Sequence, residues 1–232
     1  YEVSKTSSVK EYMALYDSLV KNYFSKEDLV TFDGYKQLQL EVDKALRYYK
    51  ENDTRFIEQA ELLIEKYPNF SYGYSFLSNY YYARFELQKA LEFASKATKT
   101  LGPELFSIQL KEVYLNFLLG NYRKSETLLN KIYDEGYELA QFLKIQIEHV
   151  LYHNEEKDME AIAQLIKAHP DNAIYYNEEA AMYNFYKKYD KALESVNKAF
   201  EIDSELDIIY ITLAEIKYRM NEKLDFYRNI EL

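Results

Sequence analysis

His149 and His153 stand four residues apart, a spacing that puts two imidazoles on one face of a helix, and Glu148 and Glu156 lie close by. Two imidazoles and a carboxylate are three of the ligands a zinc ion takes. The surrounding sequence does not complete the set. There is no HExxH pattern, and the remaining histidine, His169, precedes Pro170 at a helix end just as Tyr67 precedes Pro68. The pair reads as packed or solvent-facing, and no metal or other cofactor is expected. The 39 Asp and Glu residues offer many neighbouring carboxylates. EDL at 27–29, NEEKD at 154–158 and NEE at 177–179 read as solvated faces and loop caps rather than acid–base machinery. No Gly-rich phosphate loop, GxSxG elbow or Cys nucleophile is present. With no coherent catalytic constellation, the chain reads as non-enzymatic.

What remains is the chemistry of carboxamides and rings. Tyr is the compositional outlier, with 26 copies beside 13 Phe and no Trp. Its ring buries area while its hydroxyl keeps a partner, which suits half-buried helix faces and binding grooves. Apolar residues make up 48% and charged residues 29%, the balance of a folded, soluble chain. The 5 Gly and 3 Pro are few for a loop-rich or all-β protein, and the absence of Cys excludes disulfides while leaving the compartment open. No apolar run approaches the roughly 20 residues of a membrane-spanning helix. The net charge of −10 argues against nucleic-acid binding by this segment, since phosphate contacts need clustered Lys and Arg. The chain begins at Tyr1 rather than Met, so it reads as a processed product or an excised fragment.

The elements that position these residues are set by an internal repeat. Tyr74, Leu77, Ser78, Tyr81, Ala90, Ala94 and Ala97 step by 3, 1, 3, 9, 4 and 3. Tyr176, Glu179, Ala180, Tyr183, Ala192, Val196 and Ala199 repeat the same intervals 102 residues later, or three times 34. A period of 34 residues marks an array of helix–turn–helix units, each unable to bury its apolar face alone. Apolar spacing then predicts helix pairs at 72–84 and 87–100, 105–119 and 122–135, 138–152 and 157–168, and 173–186 and 189–202. A further helix opens at Tyr210, and 223–232 starts an incomplete partner for it.

Before the clear repeats, residues 1–7 read as a tail. Ser8 and Glu11 form a capping box for a helix to about residue 24, and 25–34 is a connector. A helix over 35–50 carries Leu38, Val42, Ala45, Leu46 and Tyr49 on one stripe, and Thr54 is positioned to cap the next, which ends before Pro68. The expectation is one all-α solenoid over 8–232, irregular at 8–70, clearest at 71–104 and 173–206, and partial at 207–232. The last segment carries Leu224, Phe226, Tyr227 and Ile230 with no following repeat. It either folds back over 210–220 as a cap or pairs with another copy, giving a monomer or a homodimer through the C-terminal helix.

Segments 71–104 (SYGYSFLSNYYYARFELQKALEFASKATKTLGPE) and 173–206 (NAIYYNEEAAMYNFYKKYDKALESVNKAFEIDSE) resemble the tetratricopeptide repeat family, with KKYDKALESVNKAFEID close to its second-helix wording. The resemblance implies a right-handed superhelix of antiparallel helix pairs that binds a protein or peptide in a concave groove lined by the first helix of each pair. Slot by slot, it assigns to that groove Tyr72, Ser75, Asn79 and Tyr82, then Leu110, Tyr114 and Phe117. The following units supply Leu143, Ile147 and Val150, then Ile174, Asn177, Asn184 and Phe185, then Ile211, Glu215 and Tyr218. An Asn in such a wall can both donate to and accept from a peptide backbone. Some members grip a C-terminal carboxylate with Lys and Asn, but Ser75 stands where the first Lys would be and the later basic pair is missing. Lys111, Glu179 and Lys217 also depart from the pattern. The expected role is a non-enzymatic scaffold module, with a peptide-sensing domain of a larger transcriptional or signalling protein as the alternative.

Overall fold

The computed structural model describes residues 32–51, 53–100, 106–133 and 136–230, with 32–36 and 222–230 described as helical backbone. The tail, the capping box at Ser8 and the helix at 8–24 therefore lie outside the described residues, as does most of the connector. Among the described residues there are eleven α-helices and no strand. They fall into two compact units, Tyr1–Asn121 and Tyr122–Leu232. The first holds α1 (Phe32–Lys50), α2 (Arg55–Lys66), α3 (Ser71–Tyr82), α4 (Leu87–Thr100) and α5 (Phe106–Leu118). The second holds α6 (Tyr122–Ile132), α7 (Glu138–Tyr152) and α8 (Glu155–Ala168), followed by α9 (Ala173–Phe185), α10 (Tyr189–Ile202) and α11 (Asp207–Ile230). Each unit is a stack of antiparallel helices, and the class is the all-α solenoid.

The small slots work as the spacing predicts. Ala90, Ala94 and Ala97 on α4, and Ala192, Val196 and Ala199 on α10, are fully buried and let paired helices approach. Ser78 fits the same slot because its hydroxyl donates to the Ala90 carbonyl at 2.9 Å, which removes the cost of burying it. The departure at Glu179 is absorbed in the same way, its carboxylate accepting from Ser195 Oγ at 2.6 Å. Gly73 marks a close approach, where a Cβ would stand 2.8 Å from Ile64 Cγ1 on α2. The turns that follow α3, α5, α7 and α9, the first helix of each pair, share one backbone device. Phe85 (φ 59°), Gly120 (φ 77°), His153 (φ 49°) and Lys187 (φ 61°) are all left-handed. They recur at intervals of 35, 33 and 34 residues. The repeat is therefore written in backbone conformation even where its side chains have drifted.

Several local expectations are corrected. Thr54 makes no side-chain cap; Asp53 instead accepts from the Arg55 backbone N–H at 2.9 Å and holds its guanidinium. On α1 the buried stripe ends at Tyr48, and Tyr49 is 42% exposed. Glu41, on the same helix, is buried and accepts from Lys66 Nζ and Gln59 Nε2, both at 2.7 Å. The hydrogen bond from Lys66 holds its carboxyl below the usual range. Finally, α11 runs unbroken to Ile230, so 223–230 neither starts a partner helix nor folds back over 210–220. The side chains of Leu224, Phe226, Tyr227 and Ile230 lie outside the described residues.

Candidate functional site

In the first unit, α3 and α5 bring together predicted groove residues around a cation that spacing had marked only as a departure. Lys111 Nζ donates to Asn79 Oδ1 at 2.7 Å and sits 4.3 Å from the centre of the Tyr82 ring. Tyr82 meets Tyr114 edge-on at 6.2 Å. Burial pulls the Lys111 ammonium below the ordinary lysine value. Burial also pushes the Tyr114 hydroxyl up to about 12, with the Tyr82 hydroxyl contributing. Among the described residues no carboxylate forms an ion pair with Lys111. Among the described residues, this half-buried cation meets a neutral carboxamide and a ring face. Tyr72 extends the aromatic wall, stacked on Phe70 at 5.2 Å and edge-on to Phe76 at 6.2 Å. Ser75, one turn from Asn79, is half-buried on the same helix.

In the second unit, α7, α8 and α9 build a different cluster, which explains the histidine pair. His149 Nδ1 lies 2.6 Å from Asp158 Oδ2, and the Tyr186 hydroxyl donates to the same oxygen at 2.5 Å. His153 occupies the left-handed cap of α7, and its ring stacks on Phe185 at 4.7 Å. The two imidazoles thus serve packing and a buried hydrogen bond, and among the described residues no group of three or more His, Asp or Glu could hold a metal ion. Asp158 carried no signal in the sequence, because its partners lie 9 and 28 residues away. Beside them Gln146 Nε2 donates to Glu178 Oε2 at 2.9 Å, and burial raises the Glu178 carboxyl above its usual range.

Other predicted groove residues are placed elsewhere. Leu110 (5% exposed), Leu143 and Ile147 are buried, and so are Asn177 (6%) and Asn184 (3%). On α9, Asn177 and Asn184 share a stripe with Ala173 and Ala180, and those alanines pack with Ile209 and Ile216 of α11. The slots that Ser75 and Tyr82 hold half-buried in the first unit are buried here. The Oδ1 atoms of both asparagines are buried without a hydrogen-bond partner. Phe117 and Val150 are half-buried, while Ile174, Phe185, Ile211, Glu215 and Tyr218 are exposed.

Solved structures with this arrangement of helix pairs bear on the family reading. The type IV pilus biogenesis factor PilW is similar at a TM-score of 0.61 and 14% identity, over 84% of this chain and 94% of that one. YrrB, a TPR protein with an unusual peptide-binding site, is similar at 0.55 and 16%, over 87% and 98%. MamA from Desulfovibrio magneticus is similar at 0.61 and 14%, over 73% and 97%. The fold is that of a tetratricopeptide-like helical repeat protein. No family model matches the sequence, and no curated protein matches it either. At these identities the TPR likeness establishes architecture, and the side chains of the TPR-like faces must be read from this chain alone. No described helix is long and apolar enough to cross a membrane.

Proposed function

We propose that this chain is a non-enzymatic scaffold that holds an extended segment of a partner protein against the face formed by α3 and α5. The observation that carries the reading is Lys111, a desolvated ammonium that donates to Asn79 Oδ1 and lies over the Tyr82 ring. A backbone carbonyl or an acidic side chain of a bound segment supplies the missing acceptor, and Tyr82 and Tyr114 supply apolar area beside it. The fold supports the role, since repeat stacks present side-by-side helices as extended binding surfaces. YrrB, with its peptide-binding site, is a similar stack in which such a site occurs.

The test starts from a partner captured on the immobilised chain. Lys111→Met keeps the aliphatic stem and removes the charge, and Asn79→Ala removes the carboxamide that positions it. Each is expected to weaken binding about tenfold or more, since a charge-assisted hydrogen bond is worth roughly 1.5–3 kcal/mol. Helicity by circular dichroism should stay the same. Full-strength binding by both variants would sink the proposal.

A further inference from the structure

One arrangement of side chains occurs twice, with its charge reversed. Asn79 on α3 accepts from Lys111 on α5, 32 residues on, at 2.7 Å. Gln146 on α7 donates to Glu178 Oε2 on α9, again 32 residues on, at 2.9 Å. Each member of the second pair lies 67 residues after its counterpart, and so do both ends of α9 relative to α5. In both units a carboxamide on one helix thus holds a charged group on the next helix but one. The charge is an ammonium in the first unit and a carboxylate in the second.

The surroundings of the carboxylate differ from those of the ammonium. Tyr114 meets Tyr82 edge-on at 6.2 Å beside Lys111, but its counterpart next to Glu178 is Ala181, which has only a methyl group. On the same face of α9, Ile174 lies one turn before Glu178 and Phe185 two turns after it, both exposed. From α7, His149 meets Phe185 edge-on at 4.9 Å and His153 stacks on it at 4.7 Å. His149 Nδ1 is committed to Asp158 at 2.6 Å. Among the described residues Glu178, which is half-buried, forms no ion pair, and its hydrogen bond is the one from Gln146. Burial disfavours its charged form, a cost that a cation arriving from outside would offset. An anionic occupant would meet a like charge here. A wholly apolar one would desolvate the carboxylate further without supplying a donor. A cation on an aliphatic stem suits both the carboxylate and the exposed Ile174 and Phe185.

We propose that this face of α7 and α9 is a second binding site, for an arginine or lysine side chain of a partner protein, with Glu178 receiving the cation and Ile174 and Phe185 flanking its methylene stem. The site lies wholly within the second unit and stands independently of the role given to Lys111.

Titration of the isotope-labelled full chain with Nα-acetylarginine amide, followed by NMR, tests this. Amide signals over 146–153 and 174–185 should shift together and saturate, with a dissociation constant on the order of 1 mM. Nα-acetylcitrulline amide, of similar shape without the charge, should bind at least tenfold more weakly. Glu178→Gln keeps an oxygen for Gln146 and removes the charge, so it should weaken the arginine probe to a similar extent while helicity stays the same. Ala181→Tyr copies the ring of the first unit into the open slot and should also block the probe. Lys111→Met should leave it unchanged, so the two sites can fail separately. Equal binding of the citrulline probe or of Nα-acetylglutamate amide would reassign the face to a neutral or acidic occupant. Shifts over the same residues driven by protein concentration alone would reassign it to a second copy. Either reassignment, or a Glu178→Gln variant that binds the arginine probe as the wild type does, would overturn the proposal.

Discussion

At the scale of single residues, two glutamates show how neighbours invert the same chemistry. Glu41 is held charged by Lys66 and two glutamines, so its contribution is present above the ordinary value of 4.5 and is lost as pH falls through its lowered value. Glu178 has the opposite sign: burial raises its carboxyl, so the fold is unpenalised below 4.5 and loses stability as pH rises from there towards the raised value. Glu178→Gln keeps an oxygen to accept from Gln146 and removes the charge. Its thermal midpoint should exceed that of the wild type near neutral pH and converge with it well below the ordinary value of 4.5. A midpoint below the wild type at neutral pH would show that the charge is stabilising. Neither role was legible in the sequence, where both residues looked like members of an abundant acidic population. The relevant partners lie 18, 25 and 32 residues away, beyond anything local spacing can report.

At the scale of elements, the repeat spacing located the helices between residues 71 and 202 to within a few residues, because the Ala, Ser and Tyr slots record which face each helix buries. The turns were less legible. Gly120 is an obvious left-handed candidate, but Phe85, His153 and Lys187 occupy the equivalent positions with side chains that disfavour them. Lys187→Gly should therefore stabilise by roughly 0.5–1 kcal/mol, the left-handed penalty less the extra chain entropy of glycine. Gly120→Ala provides the converse. No atom lies within 4 Å of the added Cβ, so its expected loss of about 1–2 kcal/mol isolates backbone strain from packing. Chemical denaturation of the two variants measures both signs. A Lys187→Gly variant less stable than the wild type would mean that the Lys187 side chain contributes more than its turn costs. The histidine pair belongs at this scale too: a four-residue spacing showed that the rings share a face, and only the neighbouring α8 and α9 revealed that the face is packed.

At the scale of the whole molecule, each unit is a one-dimensional stack in which every helix depends on its neighbours, so stability varies along the chain. The groove reading shows what spacing can and cannot convey: Asn79 has a partner and is half-buried, whereas Asn177 and Asn184, in the slots that Ser75 and Tyr82 hold 102 residues earlier, are buried. Whether a slot is half-buried or buried depends on how the following helix packs, and that is a tertiary fact. The two buried carboxamide oxygens therefore have a kinetic consequence. Swinging α11 away would let water reach both, and hydrating each orphaned oxygen would recover about 1–3 kcal/mol, offsetting part of the cost of exposing the apolar face of α11. We expect the detachment of α11 to be one low-cost partial unfolding of the second unit, a foldon riding on a cooperative base. Native-state hydrogen exchange should show α11 amides exchanging together, ahead of those of α9 and α10 and with a smaller denaturant dependence. Replacing Asn177 and Asn184 by Leu should slow that exchange, merging the foldon with its base; unaltered α11 protection would locate the weak seam elsewhere.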